Sequence, residues 1–160
     1  MTTTETATPL ICNTRYFGPL EYQQDSVLVF PDGIPAFEQE KRFLAIRQPI
    51  NEPLVFLQSL TNPDLCFVTL PVAAACPNYQ LSISAEDLDA LGLATNRQPL
   101  MGGEVLCLTI ISLEENEPPT GNLLAPIVVN LHTQCGRQVI QIDSPYSHRA
   151  KLPLRGAACS

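Results

Sequence analysis

Tryptophan is absent from this 160-residue chain, and histidine and methionine occur only twice each. An aromatic content of 6% leaves little of the stacking platform on which single-stranded nucleic acid rests. Basic residues are scarce too: nine Lys and Arg stand against sixteen Asp and Glu, for a net charge of −7. From Gln98 to Gly136 there is no cation at all, while Glu104, Glu114, Glu115 and Glu117 fall within that span. The later cations Arg137, Arg149, Lys151 and Arg155 gather near the C-terminus with only Asp143 among them. Neutralising phosphates takes a basic surface, so direct nucleic-acid binding is disfavoured, and a basic protein partner suits this field better. No apolar run approaches the roughly 18 residues of a membrane span. The opening MTTTETATPLIC lacks the positive region and apolar core of a secretory signal. Nothing hydrophobic enough precedes Pro9 to make the LIC ending at Cys12 a lipidation site, and a cytoplasmic location is expected.

Signatures of chemistry are missing as well. The chain has no GxSxG, no HExxH, no phosphate-binding loop and no dinucleotide glycine pattern. His132, Asp143 and Ser144 can be written as a triad, but so can triples in most proteins, because triads are recognised by geometry. His132 suits a surface or capping position. There is no CxxC pair, and the isolated H-x-x-C of His132 and Cys135 is two ligands short of a closed zinc site. No enzyme activity, cofactor or metal is expected. Cysteines at 12, 66, 76, 107, 135 and 159 would suit three disulfides in a small secreted domain, but this chain is larger and has no export signal. Reduced thiols are expected, with Cys66 and Cys107 acting as small buried hydrophobes in apolar runs.

What the chain does contain is a succession of β-like segments. Its length fits one domain, and 45% hydrophobic with 16% charged residues excludes a disordered chain. Runs rich in branched or aromatic residues predict strands over 14–17, 26–30, 43–47, 54–60, 65–70, 79–83, 104–113, 124–130 and 138–143. LVFLQSL and LCFVTL are separated by Thr61, Asn62, Pro63 and Asp64, which predicts a hairpin. SAEDLDALGL at 84–93 predicts one short helix, capped by Ser84 with Asp87 three residues on and stopped by Gly92. Fifteen prolines fall mostly between these segments. The expected fold is mainly β, a single small antiparallel β-barrel-like domain with one short helix. Residues 1–12 are expected to be flexible, 13–152 to form the domain and 153–160 to be a disordered tail.

Two motifs stand out. In NLLAPIVVN at 122–130, Asn122 follows Gly121 where a short polar side chain can satisfy a turn, and Ala125 leads into Pro126. Pro126 belongs at a strand start or on an edge, where a backbone donor is dispensable. Ile127, Val128 and Val129 supply stiff branched side chains, and Asn130 marks the exit. A rigid edge strand there would also be able to accept a partner strand. In FPDGIPAFE at 30–38, Phe30 opens the motif, Gly33 permits positive φ, and Pro35 holds Ile34 extended. The result is a stiff turn presenting Phe37 and Glu38, although Gly and Pro serve plain turn architecture wherever they occur.

With FLAI, LVFLQSL and RQVIQIDSPYSHR in order between and after them, these motifs resemble the flagellar assembly factor family, FliW. The chain departs from that family at Ala36, where glycine is usual, at Leu124, where glutamine is common, and in the short AAAC after Pro71. The resemblance implies a cytoplasmic regulatory protein that binds flagellin. It also implies binding to CsrA, a small RNA-binding translational repressor, whose hold on flagellin synthesis is thereby relieved. Neither membrane nor nucleic acid would be contacted directly. Glu114, Glu115 and Glu117 are the expected contacts for the regulator, with Glu38 next. A small β-barrel enzyme or nucleic-acid-binding module is the alternative, the former requiring a deep polar pocket with converging titratable groups.

Overall fold

The computed structural model describes residues 9–152. A first hairpin pairs β1 (Leu10–Thr14) with β2 (Gly18–Tyr22). The main sheet runs, in spatial order, β10 (Gly136–Gln138), β9 (Ile127–Asn130), β7 (Val105–Ser112), β6 (Cys66–Pro71), β5 (Val55–Ser59), β4 (Arg42–Ile46) and β3 (Val27–Val29). Every pair in it is antiparallel. Beside the end of β7 lies β8 (Thr120–Gly121), which in turn pairs with β11 (Ala150–Lys151). No continuous ladder closes the sheet. One parallel bridge between Val29 and Cys135 brings its two ends together, and the Val29 N–H donates to the Gln134 carbonyl at 2.9 Å. The expected mainly β, barrel-like fold is what the chain adopts.

Both faces of this sheet are buried, so its strands carry apolar residues at successive positions instead of alternating with polar ones. Leu28, Phe30, Phe43, Val55, Leu57, Leu108, Ile127 and Val129 form the core of one face. On the opposite face, the β1–β2 hairpin covers Val27 and Leu44 through Cys12, while a second layer packs on Val105, Cys107 and Val128. That layer consists of α1 (Val72–Ala75), α2 (Ala85–Ala90) and the chain between them. The Ser84 side chain accepts from the Asp87 N–H at 3.1 Å, so the capping residue expected from sequence starts α2. Leu88 and Leu91 enter the core, and the chain turns out of the helix at Gly92. The expected β5–β6 hairpin is present across Thr61–Asp64.

Several segments depart from the sequence expectation. Residues 14–17 form the turn of the first hairpin: the Thr14 hydroxyl donates to the Gly18 carbonyl at 2.8 Å and accepts from the Phe17 N–H at 2.9 Å. Strand β1 begins at Leu10, within the span expected to be flexible, because Cys12 is needed in the core beneath it. Residues 79–83 are not a strand. Side-chain amides take the place of a ladder there, with Gln98 Oε1 accepting from the Ile83 N–H and Gln141 Oε1 from the Ser82 N–H, both at 2.7 Å. The strand expected over 138–143 is shifted to Gly136–Gln138. Val139 still donates to the Pro126 carbonyl at 3.0 Å, but Pro126 has no N–H to return the bond and the ladder stops.

Candidate partner-binding surface

The 30–38 motif is a loop folded back on itself. Phe30 is fully buried and meets Phe43 edge-on at 5.4 Å. Its ring leaves no room at Gly136, where a Cβ would stand 2.6 Å from it. The Gly33 N–H closes a turn onto the Phe30 carbonyl at 2.8 Å, and the Phe37 N–H does so onto the Ile34 carbonyl at 2.6 Å. Gly33 has φ 68°, and a Cβ there would lie 2.5 Å from the Glu38 Cα, so both conformation and space demand glycine. Ile34 is buried beneath the loop, and Pro35 faces solvent. Ala36 also adopts positive φ, at 74°, and its N–H donates to Glu38 Oε1 at 3.3 Å. Phe37 is 40% exposed and packs edge-on against Phe67 of β6 at 5.3 Å. Turn architecture and presentation therefore coincide: the glycine closure holds Phe37 and Glu38 outward. Glu40, which sequence alone did not single out, anchors the base by accepting from the Ser59 hydroxyl at 2.7 Å and from the Thr61 hydroxyl.

The 122–130 motif serves the interior. Asn122 Oδ1 accepts from the Ala125 N–H at 3.0 Å, and Pro126 stands immediately before β9, where its missing donor is harmless. The idea of an exposed edge strand is overturned, because β9 lies between β7 and β10 and Ile127, Val128 and Val129 are fully buried. Asn130 ties this strand to its surroundings. Its Nδ2 donates to the Leu91 carbonyl at 2.8 Å at the end of α2, and its Oδ1 accepts from the His132 N–H at 2.9 Å.

Glu114, Glu115 and Glu117 lie in an exposed loop directly after β7. Arg149 approaches Glu114 at 3.4 Å and Glu117 at 3.3 Å, so one guanidinium is shared by two carboxylates. Such exposed pairs contribute at most about 1 kcal/mol each, which leaves the loop open to a competing cation. Since β7 is the neighbour of β6, the acidic loop and the Phe37–Phe67 contact stand on adjacent strands. Glu104 lies elsewhere: Arg97 grips it with two bonds of 2.7 and 2.6 Å, the Leu100 N–H adds a third, and its carboxyl is pushed down to about 2. A recess of about 310 Å3 beside it includes His132 and Thr133. Its one carboxylate is thus already engaged.

No disulfide is formed by Cys12, Cys66, Cys107 or Cys135. Burial pushes the Cys66 thiol up to about 11 and the Cys107 thiol up to about 12. Among the described residues no helix is long and apolar enough to cross a membrane, and no cluster of His, Cys, Asp and Glu is arranged to hold a metal.

Comparison with known proteins joins these features to a family. The model of the FliW protein family matches residues 11–152. The chain is 36% identical over 133 residues to the flagellar assembly factor FliW of Syntrophomonas wolfei, covering 82% of this chain and 81% of that protein. Against the flagellar assembly factor FliW of Bacillus subtilis the identity is 32% over 151 residues, with 94% and 100% covered. A crystal structure of the flagellar assembly factor FliW superposes with a TM-score of 0.77 at 28% identity, covering 92% of this chain and all of that one. With its glycine-closed loop, its Pro126-led central strand and this agreement along most of its length, the chain belongs to the FliW family of flagellar assembly factors.

Proposed function

We propose that this protein binds flagellin in the cytoplasm and also binds a CsrA-type translational regulator, drawing it away from flagellin messenger RNA. Membership of the FliW family carries this reading. The exposed carboxylates of Glu114, Glu115 and Glu117, of which Glu114 and Glu117 share Arg149, support a basic partner, and the net charge of −7 favours its approach. Two partners competing for one factor need no catalysis: when free flagellin occupies the factor, less remains to bind the regulator. Glu38, presented beside Phe37, is a second contact.

The test is size-exclusion chromatography with light scattering, using the protein alone and mixed with cognate flagellin, with CsrA, and with both. Complexes with each partner and mutual exclusion in the three-way mixture are expected. Failure of either to bind at tens of micromolar removes that partner from the function. Replacing Glu114, Glu115 and Glu117 together by Lys should weaken regulator binding and its salt dependence. Unchanged affinity by calorimetry would remove the loop from the interface.

A further inference from the structure

The face of the main sheet that carries the hairpin and the helical layer is not covered evenly. Phe56 of β5 lies on it, meeting Phe17 of the first hairpin edge-on at 5.4 Å. Cross-strand register extends that position into a row: Phe56 pairs with Val68 of β6, and the Thr69–Ile110 pair of the β6–β7 ladder sets Val68 beside Ile111. Alternation along β7 puts Ile111 on the same face as Val105 and Cys107, which the helical layer covers. Val68 and Ile111 are themselves only half-buried, and neither joins the cluster under the helical layer or the one under the hairpin. Just beyond Ile111, Leu113 is 70% exposed, and Glu114, Glu115 and Glu117 follow it. An apolar strip therefore runs across three strands, from Phe17 to Leu113, and ends in carboxylates.

We propose that this strip docks an amphipathic helix of a basic protein partner. The backbone beneath it is already committed, because Val68 bonds to Ile111 of β7 and β5 flanks β6 on the other side, so an occupant can use side chains only. Phe56 and Ile111 stand two strand spacings apart, about 10 Å. A similar distance separates positions i and i+7 of a helix rising ~1.5 Å per residue. One apolar helix face can thus lie along Phe56, Val68 and Ile111, where an extended segment would have no edge to join. Leu113 takes a last apolar side chain, and the carboxylates at the end of the strip call for a Lys or Arg. The proposal rests on the reading of a basic regulator at Glu114, Glu115 and Glu117, and adds the apolar surface and the form of its contact.

The test is calorimetry of the full chain against purified CsrA. Leu113→Ser, at a position exposed enough to spare the fold, should weaken binding by about three-fold or more, and adding Val68→Thr should bring the loss to about ten-fold. Ile140→Ser, at a comparably exposed position (67%) outside the strip, should leave the affinity unchanged. If the double variant does not fold, Leu113→Ser against Ile140→Ser decides. A photo-crosslinking residue in place of Leu113, and separately of Ile111, should mark CsrA residues three or four apart; marked residues two apart would mean an extended segment and overturn the helix. Undiminished binding by Leu113→Ser, or an equal loss in Ile140→Ser, overturns the strip and leaves the partner standing. No complex with the unaltered chain overturns both.

Discussion

Ala36 holds a left-handed conformation, φ 74°, that an L side chain reaches only at a cost. Its neighbour in the loop, Gly33, faces a different constraint, since a methyl group there would be driven into the Glu38 backbone. The two positions should answer opposite substitutions in opposite ways. Ala36→Gly is expected to raise stability by about 0.5–1 kcal/mol, because relief of the strain exceeds the added entropy of the unfolded chain. Gly33→Ala is expected to lower it by about 2–4 kcal/mol, as strain and overlap add. Urea unfolding of both variants measures this, and a destabilised Ala36→Gly would contradict it. The positive φ at Gly33 was legible in the sequence, since GIP needs a special turn. The close approach to Glu38 was not, because it depends on how the loop folds back.

Among the elements, the turn before β7 draws on one ion pair. Arg97 and the Leu100 N–H favour the charged form of Glu104 and push its carboxyl down to about 2, from an ordinary value near 4.5. A lowered folded value means the unfolded chain takes up the proton first as pH falls. The contribution of Glu104 is therefore present above about pH 4.5 and lost as pH drops toward 2. Glu104→Gln should flatten the stability curve in that window and leave its slope near pH 7 unchanged, as followed by thermal melts across pH. An identical acid limb in the variant would remove Glu104 from it. Most strands of the main sheet were legible from branched and aromatic runs, and α2 from its Ser84 cap. Residues 79–83 misled because their composition suits a strand, while the bonds that satisfy them come from Gln98 and Gln141, distant in sequence. The segments Thr120–Gly121 and Ala150–Lys151 carry no sequence signal, since pairs of residues are too short for a period.

Over the molecule as a whole, the half-buried Cys66 and buried Cys107 thiols set an alkaline limit. Cys66 and Cys107 are raised to about 11 and about 12, from an ordinary value near 9, because burial disfavours the thiolate. The unfolded chain then releases these protons before the folded one. The stability they allow is complete below about pH 9 and is lost progressively as pH rises toward 11 and 12. Denaturation midpoints should fall above pH 9, and the double variant Cys66→Ala, Cys107→Ala should show a shallower fall. The burial of Cys107 should leave its thiol unreacted with iodoacetamide at pH 8 until the chain is unfolded, which mass spectrometry of labelled peptides would measure.

The sequence by itself determined the class of the fold, the position of the β5–β6 hairpin and α2, the need for glycine at 33 and the family. Those features are written in local patterns: branched runs, a capping serine, and turn residues acting on their own backbone. Only the tertiary structure decided that β9 is a central strand, that Phe37 rests on Phe67, and that Arg149 reaches the acidic loop. Each of these depends on which strands become neighbours and in what register. That choice is made by packing both faces of one sheet at once, and no short window of sequence contains it.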